Sequence, residues 1–104
     1  MTVLATYTKQ PSERLDYDFD YSLFLMSADT IESAVFKVET LVESGEVITV
    51  ANPLEIDTEI IDTTFTKAWV RGGEIGYTYK ISCTATTAHG RTKEDEIKIR
   101  VKEY

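Results

Sequence analysis

Three aspartates near the start of the chain form the first group whose spacing could support chemistry. Asp16, Asp18 and Asp20 stand two residues apart, so on an extended strand they share one face at intervals of about 7 Å. Calcium takes about six to eight oxygen ligands. A single strand cannot close such a shell without loops, and the sequence lacks the glycine of a calcium loop. We therefore interpret the three carboxylates as an acidic stripe that faces solvent or a partner protein, and we expect no bound metal.

Nucleophilic catalysis would require the only cysteine to meet the only histidine. Cys83 falls at an inward position of a predicted strand, and His89 falls in the turn that follows that strand. This placement predicts a small apolar core residue and a surface histidine. An acid–base pair could in principle come from a further set of carboxylates: Glu55, Asp57, Glu59, Glu94, Asp95 and Glu96. Nothing in their spacing makes them converge, so we expect neither an enzyme nor a cofactor.

Two motifs suggest anion binding, and both have a simpler interpretation. Residues 72–76, GGEIG, have the glycine content of a phosphate loop, but no Lys-Ser pair follows them. Lys98, Arg100 and Lys102 alternate along the last predicted strand. They could contact nucleic acid, or they could pair with carboxylates of the neighbouring strand. The net charge of −7 favours the second interpretation, since nucleic-acid binding needs a cationic surface. The same charge disfavours anionic membranes.

Trp69 is the aromatic residue with the clearest potential for binding a protein. If Thr66, Ala68 and Val70 point into the core, the alternation of a strand turns Trp69 outward. An outward tryptophan is typical of a protein interface. The opposite phase would make it a core residue. We choose the outward phase and name Trp69, Asp16, Asp18 and Asp20 as the candidate protein interface.

The bulk composition predicts one folded domain. The chain has 104 residues, 42% of them hydrophobic and 28% charged, which is ordinary for a globular domain. One cysteine excludes an intrachain disulfide, so we expect synthesis in a reducing cytoplasm. No run of about 20 apolar residues is present to span a bilayer, and the N-terminus does not have the pattern of a signal peptide.

The elements that must position these residues are strands, because apolar residues alternate with polar ones almost throughout the chain. Leu15, Tyr17, Phe19, Tyr21 and Leu23, for example, are expected on one apolar face. Residues 33–43 also fit a helical spacing, but they lack a block of strong helix formers. Turn residues separate about seven predicted strands: 15–23, 34–39, 47–50, 56–61, 64–70, 79–87 and 97–101. This pattern predicts an all-β fold, a single immunoglobulin or fibronectin III-like antiparallel β-sandwich.

The penultimate predicted strand carries a fibronectin-like signature. It starts at a tyrosine, continues with small or aliphatic residues at every second position and ends at Gly90. The glycine-rich segment 72–76 lies just upstream, where Tyr77 or Tyr79 could hydrogen-bond back across a tyrosine corner. Phe36 takes the place of the buried aromatic residue on an early strand.

With the strands placed, residues 11 to 103 resemble small virion proteins of tailed bacteriophages, of the fibre-tail adaptor type. The most specific stretches are Trp69-Val-Arg-Gly-Gly73 and Thr86-Thr-Ala-His-Gly-Arg-Thr92, supported by Leu15-Asp-Tyr-Asp-Phe-Asp-Tyr-Ser22 and Asp29-Thr-Ile31. The sequence departs from the pattern at Phe36, where a tryptophan is usual, and over residues 47–62, which are acidic and poorly matched.

The resemblance implies an adaptor that docks a tail fibre or spike onto the tail or the head-to-tail connector. It implies other virion proteins as partners and several copies in a symmetric assembly. A capsid decoration protein and an extracellular immunoglobulin-like binding module remain as alternatives. We place the sandwich at residues 11–104 and assign residues 1–10 to an N-terminal arm, which either adds a strand to a neighbour or forms the first strand of the sandwich itself.

Overall fold

The computed structural model describes residues 2–25, 27–42 and 44–103. Eight strands account for most of these residues, and they are numbered here in chain order: β1 Thr2–Lys9, β2 Leu15–Asp20, β3 Ile31–Leu41, β4 Val47–Ile48, β5 Leu54–Ile61, β6 Phe65–Gly72, β7 Thr78–Thr87 and β8 Thr92–Val101.

The strands form two sheets. The larger has the order β1-β8-β7-β3-β4, and the smaller has the order β2-β6-β5. All neighbours are antiparallel except β1 and β8, which run parallel. The all-β, sandwich-like fold predicted from the alternation is confirmed. The structure differs from the prediction in having an eighth strand and one parallel pair.

That additional strand is the segment we assigned to an N-terminal arm. Residues 2–9 form β1 and pair with β8 from Thr2 opposite Asp95 to Lys9 opposite Val101. The ring of Tyr7 packs at a 45° tilt against Tyr17 of β2, with 4.7 Å between ring centroids. β1 therefore closes one side of the sandwich by contacting both sheets.

Lys9 fixes the end of β1 through an unusual buried ammonium group. Its side chain is fully buried, and its Nζ donates to the carbonyl oxygens of Gln10 at 2.8 Å and Gly72 at 2.8 Å. Burial lowers the pKa of Lys9, because removing an ammonium group from water disfavours its charged form. The carbonyl oxygens supply the hydrogen bonds that such a group needs inside a protein.

The core lies between the two sheets and is built from the inward positions of both. The inward phase predicted for β3 is confirmed, because Phe36 meets Phe19 of β2 edge to face at 6.1 Å. Aromatic pairs prefer this geometry. The largest fully buried apolar residues come from β2, β6, β7 and β8 and from the residue that follows β2: Phe19, Tyr21, Val70, Tyr79, Ile81, Cys83, Ile97, Ile99 and Val101.

The prediction for Leu23 is wrong. β2 ends at Asp20, whose carboxylate accepts a hydrogen bond from the Ser22 backbone N–H at 2.9 Å. The carbonyl oxygen of Tyr21 then accepts N–H groups from Phe24 and Leu25. This local turn breaks the alternation, so Leu23 lies fully exposed at 102% of its reference area.

The predicted tyrosine corner is present, and Tyr79 rather than Tyr77 forms it. The backbone N–H of Glu74 donates to the Tyr79 hydroxyl at 2.8 Å. The ring of Tyr79 is fully buried. The corner therefore ties the β6–β7 connection to the start of β7 from inside the core.

Candidate functional site

Trp69 lies on the outer face of the three-stranded sheet, as the alternation predicted. Thr66, Ala68 and Val70 are buried, while Lys67 and Trp69 between them are partly exposed. Across the sheet, Trp69 stands opposite Asp16 of β2 and Thr58 of β5. The tryptophan therefore occupies the central strand of this face with a polar neighbour on each side.

Arg14 holds Trp69 and was not identified from the sequence. Its guanidinium carbon lies 4.5 Å from the centroid of the indole ring. The same group donates two hydrogen bonds to Asp57, from Nε to Oδ2 at 2.7 Å and from a terminal nitrogen to Oδ1 at 2.7 Å. A guanidinium that pairs with a carboxylate and stacks on a ring is fixed from two directions. Arg14, Asp57 and Trp69 therefore form one preorganised unit.

Lys67 organises the first two residues of the predicted acidic stripe. Its Nζ lies 2.9 Å from Asp16 Oδ2 and 3.5 Å from Asp18 Oδ1. Lys67 and Asp18 are directly opposite each other in the register of β2 and β6. Opposite charges in that position stabilise a strand pair. The stripe is therefore partly neutralised within its own sheet.

The third carboxylate of the stripe has a different role. Asp20 stands opposite Phe65 at the end of β2, and its carboxylate is engaged by the Ser22 N–H. That hydrogen bond lowers the pKa of Asp20. The structure therefore brings Asp16 and Asp18 together with Trp69, and it places Asp20 at the turn that ends the strand.

We call this surface the Trp69 face and define it by Arg14, Asp16, Asp18, Asp57, Ile60, Lys67 and Trp69. Hydrogen bonds from its cations lower the pKa of two of its carboxyl groups. The hydrogen bonds from Arg14 lower the pKa of Asp57 to about 2, and the hydrogen bond from Lys67 lowers the pKa of Asp16. Asp57 and Asp16 are therefore ionised at neutral pH.

Arg14 and Asp57 could not have been paired from spacing alone. They are separated by 43 positions, and Asp57 lies where the β5 register shifts between Ile56 and Thr58. A bulge of this kind redirects a side chain. The only sequence signal was the broken alternation of residues 56–61.

Cys83 and His89 occupy the positions predicted for them, one in the core and one in a turn. Cys83 is fully buried, and burial raises the pKa of its thiol, so its nucleophilic thiolate is disfavoured. His89 is a half-exposed turn residue. Among residues 2–25, 27–42 and 44–103, no three His, Cys, Asp or Glu side chains are grouped to hold a metal.

The two carboxylate sets considered for acid–base work lie on different sheets. Glu55, Asp57 and Glu59 belong to β5 of the small sheet, and residues 94–96 belong to β8 of the large one. Asp57 is bound by Arg14, and Asp95 is bound by Lys93 at 3.1 Å. Asp57 and Asp95 therefore have structural partners, each within its own sheet or beside it. No helix able to span a membrane occurs in the described part of the chain.

The two stretches Asp29-Thr-Ile31 and Thr86–Thr92 meet at one end of the sandwich. Asp29 Oδ1 accepts the backbone N–H of His89 at 3.1 Å, and the carbonyl oxygen of Thr30 accepts that of Ala88 at 2.9 Å. Burial raises the pKa of the Asp29 carboxyl, but its hydrogen bonds, including that from His89, bring the pKa below its usual value. Asp29 is therefore a buried anchor between the β2–β3 and β7–β8 loops.

Arg91 completes this junction from the other side. Its guanidinium carbon lies 3.9 Å from the centroid of Phe24, and one of its nitrogens donates to the Phe24 carbonyl at 2.9 Å. These contacts show a structural use for residues that also carry the resemblance noted above. The motif therefore fixes two loops against each other.

Comparison with known proteins gives one family. The family described as "Podophage GP4 fiber-tail adaptor protein gp77" matches residues 9–100. A search of curated proteins found no match. The family match covers most of the chain, from the end of β1 to the end of β8, and includes every residue of the Trp69 face. The chain belongs to the podophage fibre-tail adaptor family and is a structural adaptor of the bacteriophage virion.

Proposed function

We propose that this adaptor docks a tail fibre or spike through the Trp69 face. The observation that carries the proposal is the outward position of the partly exposed Trp69, whose ring is held by Arg14 on the central strand of an outer sheet face. Tryptophan and arginine are the residue types most often found as hot spots of protein interfaces. Family membership supports docking as the activity.

The composition of the face suits a specific contact. Ile60, opposite Lys67 in the register, is 40% exposed and adds apolar area beside the indole. Asp16, Asp18, Asp57 and Lys67 surround this area with charges that are already paired. Because Arg14 and Lys67 are held before binding, a partner would lose little side-chain entropy when it contacts them. Charged groups at the edge would set orientation and the rate of association.

The mechanism we propose is docking without chemistry. The protein would be made in the host cytoplasm and incorporated into the tail region of the virion, with several copies arranged symmetrically around the tail. A rigid sandwich suits this role, because its core from two sheets fixes the outer faces relative to each other. The absence of catalytic activity is part of this proposal.

β1 offers a second route of assembly. It is an edge strand of the large sheet and pairs only with β8 among the described residues, so its outer edge is open to strand addition by a partner. The segment could also leave its own sheet and pair with a neighbouring copy. The buried Lys9 would remain the fixed end of such an exchange, since its ammonium group is bound by Gln10 and Gly72.

The docking proposal is tested by pull-down of the tagged protein against the tail-fibre, spike and connector proteins encoded beside it. Trp69→Ala should weaken capture of a fibre or spike by tenfold or more, because hot-spot truncation costs about 2 kcal/mol or more. Val35→Ala is the matched control, since Val35 is 71% exposed on β3 of the other sheet. Circular dichroism should show that both variants remain folded.

Unchanged capture by folded Trp69→Ala would reject the Trp69 face as the docking surface. Capture of the major capsid protein alone would favour the decoration alternative. Loss of capture in Val35→Ala but not in Trp69→Ala would move the docking surface to the large sheet.

A further inference from the structure

The sequence interpretation expected carboxylates of the neighbouring strand to neutralise the basic stripe on β8. In the structure they do not. Lys98 stands directly opposite Lys80 of β7, and Arg100 stands opposite Thr78. On the other side, the same two residues face Thr6 and Thr8 of β1. Each cation is therefore flanked by hydroxyl groups or by another cation.

Two carboxylates near this stripe pair with Lys80 instead. Its Nζ lies 3.3 Å from Glu39 and 3.7 Å from Glu96. Within residues 2–25, 27–42 and 44–103, no carboxylate oxygen lies within 4.0 Å of Lys98 or Arg100. Like charges directly opposite each other destabilise a strand pair. In a chain of net charge −7, this local excess of positive charge needs an explanation outside the fold.

Lys98 and Arg100 also line an open cleft. Its volume is about 630 Å³, and its other walls include Thr6, Thr78, Leu41 and Gly45. Leu41 ends β3 and Gly45 lies in the turn that leads to β4, so a hairpin end borders the cleft on one side and β1 borders it on the other. We call this the basic cleft.

We propose that the basic cleft binds an extended acidic segment of a partner virion protein. Lys98 and Arg100 are two residues apart on one strand, so their side chains project at an interval of about 7 Å. Alternate carboxylates on an extended polypeptide repeat at the same interval. A segment with Asp or Glu at every second position could therefore pair with both cations at once, while the threonines donate to its backbone.

Nucleic acid fits the same cleft less well. Two cations would release few counterions from a phosphate backbone, and the strength of non-specific binding depends on that number. The strongly negative charge of the rest of the protein would oppose a long polyanion. A short acidic peptide segment meets only the local charge.

The inference deepens the proposed function, because an adaptor needs a second surface for its second partner. The basic cleft lies on the large sheet, and the Trp69 face lies on the outer side of the small sheet. The two surfaces are thus on opposite sides of the sandwich. They can be tested separately.

The experiment is an NMR titration of the isotope-labelled protein with a synthetic peptide that has Asp at alternate positions and Thr between them. Backbone amide shifts should concentrate around Thr6, Thr78, Lys98 and Arg100. The same peptide with Asn in place of Asp is the ligand control. A double substitution of Lys98→Glu and Arg100→Glu should weaken binding about tenfold or more. Lys37→Glu should not, since Lys37 is an exposed cation of the same sheet outside the cleft.

Three results would overturn the proposal: no shifts in the cleft at millimolar peptide, equal shifts with the Asn peptide, or tighter binding of a single-stranded DNA oligonucleotide of equal charge. Trp69→Ala should leave the titration unchanged. Failure of the acidic-segment proposal is therefore distinguishable from failure of docking through Trp69. If the reversal variant does not fold, Lys98→Gln with Arg100→Gln gives the same comparison.

Discussion

Gly73 is the residue whose missing side chain the structure uses most directly. It has a φ of +98°, and a Cβ placed there would lie 2.8 Å from Val101 Cγ2 and 3.3 Å from the Tyr79 ring. Gly76 has a similar φ of +94°, but a Cβ there would meet nothing within 4 Å. The two positions therefore separate backbone strain from crowding of the core.

We expect Gly76→Ala to lower the free energy of unfolding by about 1–2 kcal/mol, the cost of a side chain at positive φ. Gly73→Ala should lower the free energy of unfolding by about 1–3 kcal/mol more than Gly76→Ala does, because the added methyl group overpacks the core. Urea unfolding of both variants measures the difference. Equal losses would show that Val101 and Tyr79 yield to the methyl group.

The Arg14–Asp57 pair gives a prediction on pH. The pKa of Asp57 is lowered from 3.8 to about 2 by its hydrogen bonds with Arg14. A carboxyl whose folded pKa lies below its unfolded pKa stabilises the protein above the unfolded value, and that contribution is lost as the pH falls through about 2. Carboxyl NMR titration should find the low value in the native protein and a value near 3.8 in Arg14→Gln. A normal pKa in the native protein would show that the pair is not formed in solution.

For single residues, the sequence predicted which side chains point outward, since alternation fixes the phase of a strand. It placed Trp69, Asp16 and Asp18 on outer positions correctly. It did not identify Arg14 or Lys67 as their partners. Phase depends on neighbours along the chain, whereas an ion pair depends on which strands become adjacent.

Among the elements, the hairpin of β7 and β8 was the most predictable. Its two strands are continuous in register from Thr78 opposite Arg100 to Thr86 opposite Thr92, and the turn uses Gly90 at a φ of +85°. Strands joined by a short glycine turn have no alternative partner nearer in sequence. β5 was less predictable because a register shift between Ile56 and Thr58 breaks its alternation.

The tyrosine corner can be tested as a property of the β6–β7 connection. Tyr79→Phe leaves the Glu74 N–H without its acceptor and should lower the free energy of unfolding by about 1 kcal/mol. Tyr77→Phe should cost less, since no hydrogen bond to the Tyr77 hydroxyl occurs in the described structure. Chemical denaturation measures both. A larger loss of unfolding free energy in Tyr77→Phe would assign the corner to Tyr77 instead.

The loop junction at Asp29 concerns two elements that are distant in sequence. Asp29→Ala removes the acceptor of the His89 N–H and should destabilise the protein by about 1–3 kcal/mol, because a partly buried donor loses its partner. Asp62→Ala is the matched loop control, since the exposed Asp62 carboxylate bonds, among the described residues, only to its neighbour Thr63. In thermal unfolding, the melting temperature of Asp29→Ala should lie well below that of Asp62→Ala. A lower melting temperature for Asp62→Ala would show that Asp29 does not anchor the two loops.

For the whole molecule, the two outer faces should act independently. The Trp69 face and the basic cleft belong to different sheets, and substitutions at distant sites without shared partners are additive. We expect the double variant of Trp69→Ala and Arg100→Glu to lose affinity for each partner by the same factor as the corresponding single variant. Binding measured separately for each partner provides the comparison. A combined loss much greater than the product would mean that one partner contacts both faces.

The alternation of residues and the turn signals by themselves predicted an all-β sandwich, a tyrosine corner formed by Tyr77 or Tyr79, and an outward Trp69. Local sequence is sufficient for these features, because strand phase and turn chemistry depend on residues a few positions apart. Only the tertiary structure decided that residues 2–9 join the large sheet, that Arg14 reaches Asp57, and that Lys98 faces Lys80 instead of a carboxylate. Those contacts join residues from strands whose adjacency is set by packing of the whole core, and no local pattern encodes that adjacency.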